Sequence, residues 1–285
     1  MNMKNIILSN GQPLQDAIVL PGALTSLSNG LFSPEEVFEQ LSATEKQPVE
    51  EDIPISENGL EPILVTGNHP ALHYRGNALK RHKIWAQTLY SQGMLKYGYT
   101  GWQHAVAAAT RDIRAYPLLD KMMKWLNDNF ANVLATHKLP PCNAVFNHAI
   151  FTRYEDERDF IGMHRDKEKD FVPGSYFVVF KLGAARNFSF SEEDEIIWQE
   201  ILIPGTAIIV KTGTANQQVK HGVPAMKEAC SASGSIVFRC IQTVIPWTEV
   251  AKNIDTAKRQ KMKRKAAQIS RRASATSMNM KRNKK

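Results

Sequence analysis

Cysteine is scarce in this chain: three residues in 285, Cys142, Cys230 and Cys240, odd in number and without metal-ligand spacing. That excludes a disulfide framework and a thiolate metal cluster, and predicts reduced thiols in an intracellular compartment. Long apolar runs are missing as well. No stretch of eighteen apolar residues occurs, so neither a transmembrane helix nor a membrane partner is expected. In 1–27, Asn, Gln and Asp interrupt every short apolar patch, so no secretory leader is expected. There is no internal repeat. Acidic residues are nearly absent from 252–285, which holds thirteen Lys and Arg against the single Asp255, a charge of +12. With +8 overall, the first 251 residues carry −4, so the body is mildly acidic and the basic character is local.

What is present is enough apolar surface for a core: 43% apolar residues and five Trp argue for a globular protein. The patterning divides the chain at 1–60, 61–250 and 251–285. The first part is weakly patterned, with one helix signal. Ser33 caps, Pro34 takes the first helical position, and Glu35 and Glu36 sit in the first turn, predicting a helix to about Leu41. A short strand is expected at Ile63–Val65, and hairpins or loops over 74–102, a stretch rich in Gly, Tyr and basic residues. From Tyr116 to Leu134, Leu118, Leu119, Met122, Met123, Leu126, Phe130 and Val133 recur at helical spacing, with Pro117 near the start.

The character then changes. Seven short β-like runs follow one another, at 145–154, 176–182, 187–191, 196–203, 206–211, 218–221 and 235–244, separated by Gly, Pro, Asn and acidic turns. Strands this close, after helices, predict an α+β fold: a jelly-roll (double-stranded β-helix) core with flanking N-terminal helices. The tail has no apolar periodicity and is expected to be disordered.

Inside the β-rich part stands His164-Arg165-Asp166, and further on His221-Gly222-Val223-Pro224. On a strand, residues two apart point the same way. A histidine on a returning strand would complete a three-ligand face and leave the opposite positions of a metal open. Two histidines and a carboxylate around an open face suit non-haem Fe(II). His-x-Asp alone is frequent by chance; His69, His82 and His137 read as surface histidines.

The surrounding residues form a longer series: Asn147, Arg153-Tyr154, Asp159-x-Ile161-Gly162-x-His164-Arg165-Asp166, Pro173-Gly174-Ser175, Leu182-Gly183-Ala184-x-Arg186-x-Phe188, His221-Gly222-Val223 and Arg239. In this order they resemble the AlkB family of Fe(II)/2-oxoglutarate-dependent dioxygenases, in particular its eukaryotic-type nucleic-acid repair members. The resemblance covers about 145–245 well and 74–102 loosely. It implies that His164, Asp166 and His221 bind Fe(II), with Asp166 placed in the catalytic role. The co-substrates implied are 2-oxoglutarate and O2. Arg239 would clamp the distal carboxylate of 2-oxoglutarate, with Tyr154, Thr243 and Thr152 supporting it. An unpartnered Arg239 between Ile236-Val237-Phe238 and Cys240-Ile241 would be costly, so an anion is expected there.

Two departures thin this polar shell. The family has two arginines six apart, with Asn two residues after the first. If Arg239 is the first, Ile241 and Ile245 replace Asn and the second; if it is the second, Ser233 replaces the first. The His-to-Arg distance and Thr243 favour the former. Thr152 stands where the family usually has Asn. Lys181 stands where Ser is common before Leu-Gly, and the sequence offers no reason for it.

By the same resemblance, 74–102 is a nucleotide-recognition lid in which Tyr97 and Tyr99 meet the flipped nucleotide and Lys80, Arg81 and Lys83 hold phosphates. Arg165, Lys167 and Glu168 would face the target base, Glu168 by accepting a hydrogen bond from an exocyclic amine or answering a positive charge. The implied activity is removal of methyl groups from N1-methyladenine and N3-methylcytosine in DNA, RNA or both. The basic tail fits a nuclear import signal or a polyanion contact, so a nuclear monomer acting on nucleic acid is expected. Two alternatives stay open: the same oxygenase acting on protein or a small molecule, and a metal-containing nucleic-acid-binding protein without turnover.

Overall fold

A computed structural model of the chain describes residues 3–47, 55–66, 70–74, 77–79, 81–97 and 103–253. The basic tail beyond 253, Tyr99, Lys80 and His69 lie outside the described residues. In chain order the elements that build the site are β1 (Ala17–Leu20), α1 (Pro34–Ser42), β2 (Arg81–Gln87), α2 (Pro117–Thr136), β3 (His148–Tyr154), β4 (Ile161–His164), β5 (Tyr176–Gly183), β6 (Arg186–Glu192), β7 (Glu195–Leu202), β8 (Ala207–Lys211), β9 (Val219–Val223) and β10 (Ser233–Arg239).

The strands form two sheets. The larger runs β1-β8-β5-β10-β3-β2, extended past β2 by Leu64–Val65 and Lys46–Gln47, and the smaller runs β4-β9-β6-β7. From β5 onward the chain passes back and forth between them: β5 in the large sheet, β6 and β7 in the small, β8 in the large, β9 in the small, β10 in the large. This is a jelly roll with mixed α and β flanks. Neighbours along the chain thus face one another across the interior, which brings β4 and β9 together at one end.

Alternation along the strands decides what lies on each side. On β5, Val178, Phe180 and Leu182 point outward into a cluster with the helices, while Phe177 and Val179 point inward between the sheets. The outer cluster is closed by Val37 and Leu41 of α1 and by Leu119, Met122, Met123, Leu126, Phe130, Val133 and Leu134 of α2. These recur at the helical interval read from the sequence, and α2 begins at Pro117 as its missing N–H allows. Ser33 caps α1 by accepting from the Glu36 N–H at 3.3 Å. Ser33→Ala should therefore cost about 1 kcal/mol, with a lower denaturant midpoint and an unchanged slope. An unmoved midpoint would mean that water replaces the cap.

Four elements differ from expectation. Residues 1–60, expected to hold one helix, have a second at Ala23–Leu27, where Ala23 and Leu24 are buried against the outer cluster. Ala17–Leu20, in a region read as weakly patterned, is a fully buried strand on β8. Gln103–Ala109 is a helix not foreseen. Residues 81–87, expected to be loop or hairpin, form a seven-residue strand of the large sheet paired with β3. Hairpin pairing within the expected lid is real at His73–Tyr74 and Asn77–Ala78. The three cysteines form no disulfide, and no described helix is long and apolar enough to cross a membrane.

Candidate metal centre

The last residue of β4, His164, is the direct partner of His221 on β9, and their rings stand 4.5 Å apart. Asp166 follows two residues on, past the strand end, with its carboxylate turned back into the same space. One donor atom from each of His164, Asp166 and His221 lies within 4.8 Å of the other two, the only such group of metal-capable side chains among the described residues. His221 is held among Phe177, Phe188 and Phe190, with the Phe188 ring stacked at 6.1 Å.

Each donor is fixed by a further contact. His164 Nδ1 sits 2.9 Å from the Gly162 carbonyl, which makes Nδ1 the donor and leaves Nε2 for a metal. The Tyr97 hydroxyl donates to Asp166 Oδ1 at 2.6 Å. Arg239 donates from Nε and Nη2 to Asp166 Oδ2, both at 2.9 Å. Tyr97 in turn stacks on His148 and Phe171, and the Arg239 guanidinium lies 4.4 Å above its ring. Behind Asp166, the Asn216 side chain accepts from the Asp166 N–H and donates to its carbonyl, so the backbone at the bend is pinned from both sides.

The electrostatics suit a cation. Burial alone would raise the Asp166 carboxyl, but the charges of Arg239, His221 and His164 outweigh it and hold it well below the usual carboxylate range. Burial, and then neighbouring His164, push His221 down to about 3. At neutral pH the group is therefore one carboxylate and neutral imidazole, the protonation state that metal binding requires. A two-histidine, one-carboxylate donor set with an open side fits Fe(II).

Other residues singled out in the sequence fall in different places. Tyr154 and Thr152 are buried inward positions of β3, opposite Ser233 and Ser235 of β10. Arg239, given to the distal carboxylate in the sequence reading, lies on Asp166 at the metal end. Thr243 lies beyond β10, its carbonyl accepting from the Lys96 N–H. Glu168 is not turned to an open face: it accepts from Gly213 N–H, Asn216 Nδ2 and Gln217 Nε2, tying down the loop before β9. Arg165 and Lys167 are exposed, Arg165 donating to the Gln218 carbonyl. Arg81 Nη1 donates to the Phe160 carbonyl at 2.5 Å, and His82, expected at the surface, is largely buried against Glu155. Sequence reasoning missed Asn216, His148 and the role of Tyr97 toward Asp166.

The chain has been compared with known proteins. No family model matches it. A stretch of 104 residues is 27% identical to human DNA oxidative demethylase ALKBH2, covering 34% of this chain and 40% of that protein. The mouse protein of the same name is 30% identical over 106 residues, covering 34% and 44%. Over this stretch the chain is similar to AlkB-type demethylases. It spans less than half the length of these curated relatives. Among solved structures, OsALKBH1 superposes with a TM-score of 0.48 at 16% identity, over 79% of this chain and 96% of that one. A 2OG-Fe(II) oxygenase family oxidoreductase from Burkholderia pseudomallei gives 0.44 at 12%, over 79% and 83%.

Proposed function

We propose that this protein is an Fe(II)/2-oxoglutarate-dependent oxidative demethylase of alkylated nucleobases, with N1-methyladenine and N3-methylcytosine in DNA as its substrates. The observation that carries the reading is the convergence of His164, Asp166 and His221, with Asp166 fixed by Tyr97 and Arg239. Curated relatives named as DNA oxidative demethylases support the choice of DNA and of a nuclear setting.

On this reading His164, Asp166 and His221 hold the iron, and their open side takes 2-oxoglutarate and O2. Bound iron with these co-substrates supplies the oxidising power to hydroxylate the C–H bond of an N-methyl group. The resulting hydroxymethyl base then loses formaldehyde: the C–N bond breaks with its electron pair going to the ring nitrogen, and the hydroxyl proton is released to solvent, leaving the neutral base. Tyr97 and Arg239 hold Asp166 in one orientation, and the Arg239 cation keeps it ionised. Phe177, Phe188 and Phe190 exclude water from the side of His221. Arg165 and Lys167, which flank Asp166 and are exposed, contact the nucleotide substrate on this reading. Methylation at a pairing nitrogen makes the base cationic and blocks pairing, which lowers the cost of turning it out of the helix.

The test is direct. The full chain with Fe(II), ascorbate and 2-oxoglutarate should convert N1-methyladenine and N3-methylcytosine in DNA oligonucleotides, read by mass spectrometry with formaldehyde release, and chelation should stop it. Conversion of matched RNA alone would move the substrate to RNA. Turnover of 2-oxoglutarate with no nucleic-acid product under any of these conditions would overturn the proposal.

A further inference from the structure

Lys181 is a charged residue in a place where a strand needs an apolar one. It lies on β5 between Phe180 and Leu182, both in the outer core, and points the opposite way, into the jelly roll. It is 7% exposed, in the central part of the large sheet, opposite Ser235 of β10. Its ammonium donates to the Leu182 carbonyl at 2.7 Å and the Gly234 carbonyl at 3.1 Å. An ammonium has three N–H donors, and these are two of them. Beside it, Arg186 is fully buried, its guanidinium 4.9 Å from the Tyr154 ring, and its Nε has no hydrogen-bond partner among the described residues. Among the described residues neither Lys181 nor Arg186 forms an ion pair. Arg186 is answered by the Asp156, Glu157 and Asp159 carbonyls and by the charge of buried Asp159. Lys181 has no carboxylate against it among the described residues, an arrangement costlier than an apolar side chain unless something negative joins it.

The same residues line a cavity, with Tyr154, Val179, Phe188, Val223 and Ser235 among its walls. Phe188 stacks on His221, and Val223 is two residues beyond it, so the cavity lies directly behind the candidate metal ligand. Along β5, Lys181 is two inward positions from Phe177, the residue against His221, a spacing of about 13 Å. A five-carbon keto diacid chelated at the triad, together with the lysine stem, covers that span. The cation expected from the sequence to meet its far end, Arg239, instead donates twice to Asp166.

We infer that Lys181, with Tyr154 and Ser235 beside it, takes the distal carboxylate of the 2-oxoglutarate co-substrate, replacing the arginine clamp expected on β10. This rests on the function proposed above. It also accounts for the serines: at Ser233 and Ser235 β10 offers only short side chains, leaving room for a lysine from β5 to reach the same point. Burial, and then the charge of Arg186, lower the Lys181 pKa to about 7, so an arriving carboxylate would also draw the amine into its charged form.

The experiment uses the full chain loaded with Mn(II), titrated calorimetrically with 2-oxoglutarate and with pyruvate, which keeps the keto acid and lacks the distal carboxylate. Lys181→Met should weaken 2-oxoglutarate binding by about 100-fold, as loss of one partner of a buried charge pair does, and leave pyruvate and Mn(II) binding as in the parent. Lys181→Arg should restore part of the 2-oxoglutarate affinity. Unchanged 2-oxoglutarate affinity in Lys181→Met would overturn the inference and leave the proposed function standing. Equal loss of both keto acids, or of Mn(II), in both variants would show a structural role and also overturn it. If the parent with Mn(II) binds neither keto acid, the proposed function fails, and the inference with it.

Discussion

Asp166→Ala should remove demethylation altogether, a larger loss than the about 10–100-fold that follows removal of a residue merely supporting a metal ligand. Three effects coincide at this side chain. On the proposed reading it is the single anionic ligand, so the variant leaves two neutral imidazoles to hold a divalent cation. It is also the acceptor for both Tyr97 and Arg239, so neither would keep its orientation. Finally, its loss strands the Arg239 guanidinium, 5% exposed, without its counter-charge, which costs about 3–5 kcal/mol in a buried pair. Because that last effect threatens folding, Asp166→Asn is the companion: it removes the anionic ligand but keeps the side chain's shape and an amide oxygen that can still accept from Arg239, so the guanidinium loses its counter-charge without losing every acceptor. Both should lose Mn(II) affinity by electron paramagnetic resonance, while Asp166→Asn keeps the parental circular dichroism. Retained Mn(II) affinity and turnover in Asp166→Asn would remove this carboxylate from the metal centre.

The sequence made the triad legible because metal ligation constrains both residue type and spacing, and a neighbouring series of motif residues multiplied the signal. The helices were legible for the ordinary reason: Ser33 and Pro34 mark a start, and the stripe from Leu119 to Leu134 buries one face. What sequence could not supply was direction. β2 carries Arg81, His82 and Lys83 at its start, and a strand that turns cations toward a site shows no clean alternation of apolar and polar residues, so it reads as loop. The tyrosine of the 97–99 pair that lies within the described residues has a hydroxyl that suits a nucleotide in sequence and an aspartate in space; only the fold distinguishes them. Glu168 was similarly ambiguous, and three donors from 213–217 claim it. Lys181 and Arg239 are the sharpest case. A one-dimensional register had to seat the co-substrate cation on β10, whereas strand pairing brings β5 and β10 side by side and makes a lysine from the neighbour a candidate for the same task.

Gly222→Ala should lower Mn(II) affinity and turnover together, by about 10–100-fold, with little change in melting temperature. Gly222 lies between His221 and Val223 on β9, where the strand meets β4. A Cβ there would come within 2.8 Å of the Ile161 carbonyl oxygen and of Met163 Sδ. The methionine can swing away; the carbonyl belongs to the backbone of β4 and cannot move without the strand. The strand ends at His164. Pushing β4 off β9 therefore separates the two imidazoles, whose useful position as ligands depends on donor atoms held within 4.8 Å of each other and of Asp166. Misplacement of this order is what costs about 100-fold in chemistry dependent on alignment. Stability should change little, because the outer apolar cluster and helices do not touch this edge of the small sheet. Backbone conformation is no obstacle, since Gly222 does not occupy the left-handed region in which an alanine would be strained. The effect is thus steric and local, and it has a distinct signature: metal affinity falls while the far-ultraviolet spectrum and melting temperature stay near parental. Parental Mn(II) affinity in Gly222→Ala would mean that β4 and β9 can part without moving the histidines, and that the close pairing of these strands does not set the metal geometry.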